Sequence, residues 1–298
     1  MRIANKTLYD GVIRNLGKSS TDLFNAQKVV TTTKKINNLS DDPVGLVAVL
    51  DLRSSLANID QMERNLAMGR SWLTASESAL SQIDDILTKV KELTVQMSNA
   101  TIGGSEREGA VGLVDGYLQQ IIDLANSESG GRYIFGGTNT DTIPFELNGS
   151  ETQVDYFGND SPFSIKIGKD SNIEIGKDGQ DIFGENWDNN NIFKTLIDLK
   201  SSLSNNDISG IQDSITNLDT HKNLLNAHIS DIAGKTIRLD VKEKIIGDLE
   251  LTYTERKSKI EDADIAEAII RLNSMELAYN AALSSSAKIM ELSLVDFI

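Results

Sequence analysis

Two histidines, His221 and His228, stand seven residues apart, a spacing that puts both imidazoles on one face of a helix. Zinc-hydrolase helices place two His four apart with a Glu between them, whereas Lys222 to Ala227 separate this pair. Solvated helix residues are therefore the expectation. The acidic, glycine-rich middle, with Asp170, Asp178, Asp181 and Asp188, has the charge for calcium. It lacks the alternating Asp/Asn ligands, fixed Gly and closing Glu of a helix–loop–helix site, and turn chemistry accounts for it. Two carboxylate clusters, Asp41-Asp42 and Glu261-Asp262 with Asp264, could in principle share acid–base work. Each directly precedes an apolar helical run, where helix caps require such residues. No Gly-x-Ser-x-Gly elbow, phosphate-binding loop or dinucleotide fingerprint appears. The residues compose no catalytic, cofactor-binding or metal site, and the chain is not expected to be an enzyme.

What the chain does carry is periodicity. Leu52, Ile59, Leu66, Leu73, Leu80 and Leu87 fall at strict seven-residue steps. A second ladder runs Ile211, Leu218, Leu225, Ile232, Leu239, Ile246, Tyr253 and Ile260. Seven-residue spacing places each set on one narrow stripe, the pattern of a coiled-coil seam. Each stripe needs a partner, and the simplest partner is the other. A companion row, Met62, Gly69, Ser76, Ile83, Val90 and Met97, completes the first seam, with room at Gly69 and Ser76 for a close backbone. The expected fold is mainly α: a long antiparallel helical coiled-coil rod from both chain ends, with a small inserted β domain at its far end.

The 298 residues include 39% hydrophobic but only 5% aromatic residues, so packing must come from Leu, Ile, Val and Ala, as in thin helical bundles. A net charge of −15 argues against non-specific nucleic-acid binding and adhesion to anionic lipid. Cysteine is absent, which excludes disulfides and thiolate metal sites. No apolar run approaches the roughly 18–20 residues that span a bilayer, so no membrane insertion is expected. Met1 to Leu8 lacks the apolar stretch of a cleavable signal peptide.

Proline occurs only at 43, 144 and 162, leaving long stretches free to continue as helix. Asp42 can cap the helix that Pro43 opens, Ser105-Glu106-Arg107-Glu108 reads as a capping box, and Asp264 with Glu267 has cap spacing. Gly130-Gly131 should end a helix that starts near 105. Val154/Tyr156, Phe163/Ile165/Ile167 and Ile173/Ile175 alternate at period two, as short strands do. Gly-Lys-Asp at 168–170 and 176–178 marks turns, and Asp188 to Asn191 can cap a helix at Ile192. Three parts result: terminal helices at 1–41 plus 262–298, a helical rod at 42–144 plus 191–261, and a β-rich outer domain at 145–190.

The terminal segments carry their own stripes: Leu8, Val12, Leu16 and Leu23 at the start, then Ile265, Ile269, Leu272, Tyr279, Leu283 and Met290 before the apolar tail with Leu294 and Phe297. A lone amphipathic helix of this kind is marginal in water, and an uncovered apolar tail is a liability. Self-assembly through these residues is the expected role.

Several motifs carry a resemblance. Met1-Arg2-Ile3, Leu39 through Asp41-Asp42-Pro43 to Gly45, Glu77 to Leu80 and Ile260 to Ala266 resemble the flagellin superfamily of bacterial flagellar axial proteins. Asp42-Pro43-Val44, the run Gly131-Arg132-Tyr133-Ile134-Phe135 and the ending Ser293 to Ile298 are more similar to its hook-associated protein 3 branch than to flagellin. The resemblance covers the first 145 or so residues and the last 100, and the middle only loosely. It implies an extracellular flagellar component exported unfolded without a cleaved signal, its termini ordering on assembly. It further implies a ring of copies between hook-associated protein 1 and flagellin, with a cytoplasmic export chaperone on the C-terminal segment. A flagellin-type filament subunit is the alternative. A protease-bearing relative would need a His-Glu-x-x-His site, which is missing.

Overall fold

A computed structural model describes residues 2–168, 170–184 and 191–295, with side chains described for 6, 7, 9–168, 170–184 and 191–288. The described chain is mainly α with a small antiparallel β part, the class its ladders imply. It divides into two compact units, Ile59–Gly247 and the pair Met1–Asn58 with Asp248–Ile298. These divisions fall inside the long helices, not at the expected 41/42 and 261/262 joints.

In Ile59–Gly247, two long helices supply the frame: α2 (Pro43–Met97) and α6 (Ile208–Glu261). Leu66, Leu73, Leu80 and Leu87 are buried on α2, as are Leu218, Leu225, Ile232, Leu239 and Ile246 on α6. Full burial of one such side chain contributes roughly 1.5–3 kcal/mol, so this seam dominates the unit's stability. Ion pairs fix the antiparallel direction: Arg70 meets Asp240 and Glu243, Asp84 meets Lys222, and Lys91 lies 2.5 Å from Asp219. Half-exposed pairs of this kind set register more than stability.

Helix α3 (Gly104–Ala125) packs beside α5 (Ile192–Ser204), burying Ala110, Val114, Leu118, Ile121 and Ala125. The expected capping box is not used. Gly103 is the N-cap without a side-chain bond, and Arg107 turns inward instead. Its guanidinium is buried and donates to the carbonyls of Met97 and Asn99, both at 2.9 Å, and to Asn206. One cation thus satisfies the carbonyl end of α2 and clamps the α5–α6 turn, where a helix terminus leaves acceptors without partners. Asn191 caps α5 as expected, accepting from the Lys194 amide at 2.7 Å. Asp188, Asn189 and Asn190 lie outside the described residues.

The strands form three separate antiparallel pairs: β1 (Glu128–Ser129) with β2 (Arg132–Tyr133), β3 (Phe145–Leu147) with β4 (Val154–Tyr156), and β5 (Ser164–Lys166) with β6 (Asn172–Glu174). Gly130 and Gly131 do not stop α3, which ends at Ala125 with Asn126 as its C-cap. Both adopt positive φ (62° and 77°), the two-residue turn that a tight hairpin requires. Pro144 and the Gly-Arg-Tyr-Ile-Phe run feed a ring cluster: Phe135 and Phe145 both stand edge-on to Phe183 in the short helix α4 (Gly179–Phe183), at 5.4 and 5.2 Å.

Within this unit the segment 145–184 packs in part against α2. The β5–β6 hairpin lies along α2: Trp72 stacks on Phe163 at 4.9 Å, and Asn65 donates to the Lys166 carbonyl at 2.7 Å. A Cβ at Gly69 would collide with Ile165 Cδ1. The small residue expected to leave room for a close backbone leaves room for the Ile165 side chain of the hairpin.

The histidines also differ from expectation. Both are buried, not solvated. His221 Nε2 lies 3.0 Å from Thr195 Oγ1 of α5, and His228 Nε2 lies 3.0 Å from the Asp181 carbonyl of α4. Seven residues apart, they pin α5 and α4 onto one face of α6.

Candidate assembly site

The second unit holds both chain ends. Helix α1 (Arg2–Thr32) packs beside α7 (Ile265–Val295), and the two joints beyond them meet. Lys34 and Asp262 form an antiparallel bridge, the Lys35 amide donates to the Glu261 carbonyl at 2.8 Å, and the Ala263 amide donates to Thr33 at 3.0 Å. Local hydrogen bonds tie each joint. Asp41 accepts from the Asn37 and Asn38 amides at 2.9 and 2.7 Å, and these bonds hold its carboxyl below the usual carboxylate range. Asp42 caps α2 through the Val44 and Gly45 amides, and Asp264 caps α7 through Ala266 and Glu267.

Glu261 is different in kind. Its carboxylate is buried and takes both Lys34, at 2.6 Å, and Arg53. Burial opposes ionisation, but the hydrogen bonds and charges of Lys34 and Arg53 outweigh it, so the pKa falls below its ordinary value. The carboxylates of Asp41, Asp42, Glu261 and Asp264 thus act as structural ties at the joints. Among the described residues no cluster of His, Asp and Glu could hold a metal ion. No described helix is long and apolar enough to cross a membrane.

The α1/α7 pair has little core of its own. Val12, Leu16, Leu23 and Val30 on α1 are half-buried, as are Leu272, Met275 and Tyr279 on α7. Ala26 and Ala268 are the single fully buried side chains described in the two helices. Spacings of three and four place these residues on one stripe of each helix, facing the other. Of the expected assembly residues, Val12, Leu16, Leu23, Leu272 and Tyr279 thus belong to the seam within the chain. Ile265, Ile269 and Leu283 are exposed at its edge. The side chains of Leu8, Met290, Leu294 and Phe297 lie outside the described residues.

The most exposed apolar side chains here were not in the expected set. Ile13 and Phe24 project from α1 with Gly17 and Ser20 between them, and Ile270 and Leu277 project from the side of α7 away from the seam. Phe24 is 65% exposed and Leu277 73%. Their spacings, eleven and seven, are themselves helical repeats, and a second row on each helix was legible from them. Of the rod-seam residues in this unit, Leu52 and Tyr253 are half-buried. Among the motif residues, Asp41, Asp42 and Pro43 build the joint, Tyr133 is half-buried in β2, and Phe135 joins the ring cluster. Gly131 and Arg132 are exposed.

Comparison with known proteins places this geometry. Residues 3–140 match the bacterial flagellin N-terminal helical region. The chain is 28% identical to flagellar hook-associated protein 3 of Escherichia coli over 184 residues, 61% of this chain and 57% of that protein. It is 22% identical to flagellin of Listeria monocytogenes across 90% of this chain and 88% of the flagellin. A putative flagellar hook-associated protein from Vibrio parahaemolyticus superposes with a TM-score of 0.68 at 20% identity, covering 74% of this chain and all of that one. The resemblance to the flagellin superfamily, with hook-associated protein 3 among the relatives, holds in both sequence and fold.

Proposed function

We propose that this chain is a structural adaptor of the bacterial flagellum, joining hook-associated protein 1 at the hook to the flagellin filament through self-assembly of its terminal helices. The observation that carries the reading is the α1/α7 pair: two long helices with almost no buried core and several large apolar side chains left exposed on each. Helix stability in proteins comes mostly from packing an amphipathic face, so such a pair gains its stability when neighbouring copies cover it. The name of the E. coli relative, flagellar hook-associated protein 3, supports a place at the hook. Copies would form a ring outside the cell, and the chain would leave by the flagellar export route, its C-terminal segment held beforehand by a cytoplasmic chaperone. The role requires no catalysis, and the relatives are named as a flagellar hook-associated protein and a flagellin.

A flagellin-type filament subunit is the second reading, favoured by the Listeria match over 90% of this chain. Growth of the purified protein decides between them. An adaptor stays short on its own, whereas a filament subunit grows long filaments. Deleting the gene gives the complementary test: hooks persist and flagellin is shed into the medium if the adaptor reading is right, and filaments remain attached if it is wrong.

A further inference from the structure

The turn between β3 and β4 carries the chain's single Asn-Gly step, Asn148-Gly149. The Asn148 amide donates to the Gln153 carbonyl at 3.0 Å, and the Glu151 amide donates back to the Asn148 carbonyl at 2.9 Å. Glu151, at a φ of 54°, closes the turn. The side chain of Asn148 is held inside it. Its Oδ1 accepts from the Thr152 amide at 2.9 Å and the Gln153 amide at 3.4 Å, and its Nδ2 donates to Thr152 Oγ1 at 3.1 Å. Gly149 is exposed, and its amide has no hydrogen-bond partner among the described residues. A Cβ at Gly149 would meet nothing within 4 Å, so the space around this residue is open.

These parts compose a reaction. The backbone nitrogen after an asparagine can attack the side-chain carbonyl when that nitrogen is free and no β-carbon obstructs its approach. Gly149 N meets both conditions. The electrophile, Asn148 Cγ, is polarised by the two amides on its oxygen, donors that also stabilise the negative charge of a tetrahedral adduct. Thr152 Oγ1 lies beside the nitrogen that must depart. We propose that Asn148 is a site of spontaneous deamidation in the folded chain. The bond from Gly149 N to Asn148 Cγ forms, the Cγ–Nδ2 bond breaks, and ammonia leaves carrying the Gly149 proton. Water then opens the succinimide at either carbonyl, giving aspartate or isoaspartate, and no other reactant is needed. The turn suits the aspartate product. Its carboxylate keeps the Thr152 and Gln153 amides, now as charge-assisted bonds. Isoaspartate instead inserts a carbon into the backbone of the turn, beside the Glu151 carboxylate that lies 3.2 Å from Lys200 of α5.

The test incubates the full-length protein at neutral pH, folded or in urea. Peptide mass spectrometry reads the amide-to-acid mass gain, and isoaspartyl methyltransferase labelling reads isoaspartate. Both signals should rise at Asn148 ahead of every other asparagine, and at least as fast in the folded chain as in urea. A folded rate below the urea rate overturns the proposal, because the turn then protects the residue. Gly149→Ala places a methyl group in open space, so the circular dichroism spectrum should be unchanged while most of the signal at Asn148 is lost. A Gly149→Ala chain that deamidates at the parental rate overturns the attack by Gly149 N.

Discussion

Replacing Phe24 and Leu277 together by Ala separates assembly from folding most cleanly. In the isolated chain these side chains are 65% and 73% exposed, so truncation removes little buried surface. Urea unfolding should move by no more than about 0.5 kcal/mol, as for ordinary surface substitutions. Full burial of such a residue contributes roughly 1.5–3 kcal/mol, and about two-thirds of that remains to be gained when a neighbour covers it. The pair therefore stands to lose about 2–4 kcal/mol per copy, or roughly 30- to 1000-fold in the association constant. The assay is binding of purified protein to the ends of isolated flagellar hooks, alongside swimming of cells carrying the variant. Leu239→Ala, at a fully buried seam position, is the contrast. It should cost about 2–5 kcal/mol in unfolding. If the Phe24/Leu277 variant assembles like its parent, or unfolds as readily as the Leu239 variant, the exposed rows are not the assembly surface.

Other expectations follow from single residues. Leu272→Asp should disturb the α1/α7 seam itself, seen as lost helicity by circular dichroism, whereas Leu283→Asp should leave helicity intact and block hook binding. Arg107→Ala strips the α2 carbonyls and the Asn206 turn of their shared donor. It should lower unfolding stability by about 2–4 kcal/mol, as loss of a buried charge with several hydrogen bonds does. Burial, then the Lys177 charge, pushes the His228 pKa down. The unfolded chain therefore binds the extra proton first, and stability should be full above the ordinary histidine value and decline as pH falls below it. Urea midpoints at pH 7.5 and 5.5 should differ less in His228→Asn. The Glu261 pKa is also lowered, so its tie to Lys34 and Arg53 is complete above the ordinary carboxylate range and weakens as pH falls through the depressed value. Glu261→Gln should blunt that acid sensitivity.

The repeating apolar residues announced the long helices, and Asp42, Asp264 and Asn191 announced their caps, because both signals are local. Polar residues on a buried face were harder to read. His221 and His228 share a face with the seam, yet a histidine there looks solvated until Thr195 and the Asp181 carbonyl arrive from α5 and α4, distant in sequence. Arg107 sat in an apparent capping box, and its true partners, Met97, Asn99 and Asn206, lie across two turns. Gly69 signalled a close approach without saying by what. The identity of the intruder, Ile165, depended on where the β5–β6 hairpin folds back. In the terminal helices part of the expected assembly stripe is half-buried between α1 and α7, because two helices of one chain can cover it, and Ile13, Phe24, Ile270 and Leu277 on second rows are left exposed.

Amide hydrogen exchange along α1 and α7, compared between the isolated chain and the chain assembled on hooks, measures that division directly. Helices with so little buried surface should exchange rapidly in isolation, and assembly should slow them by orders of magnitude while Leu73 and Leu225 stay protected in both states. Equal, strong protection of α1 and α7 before assembly would contradict the account.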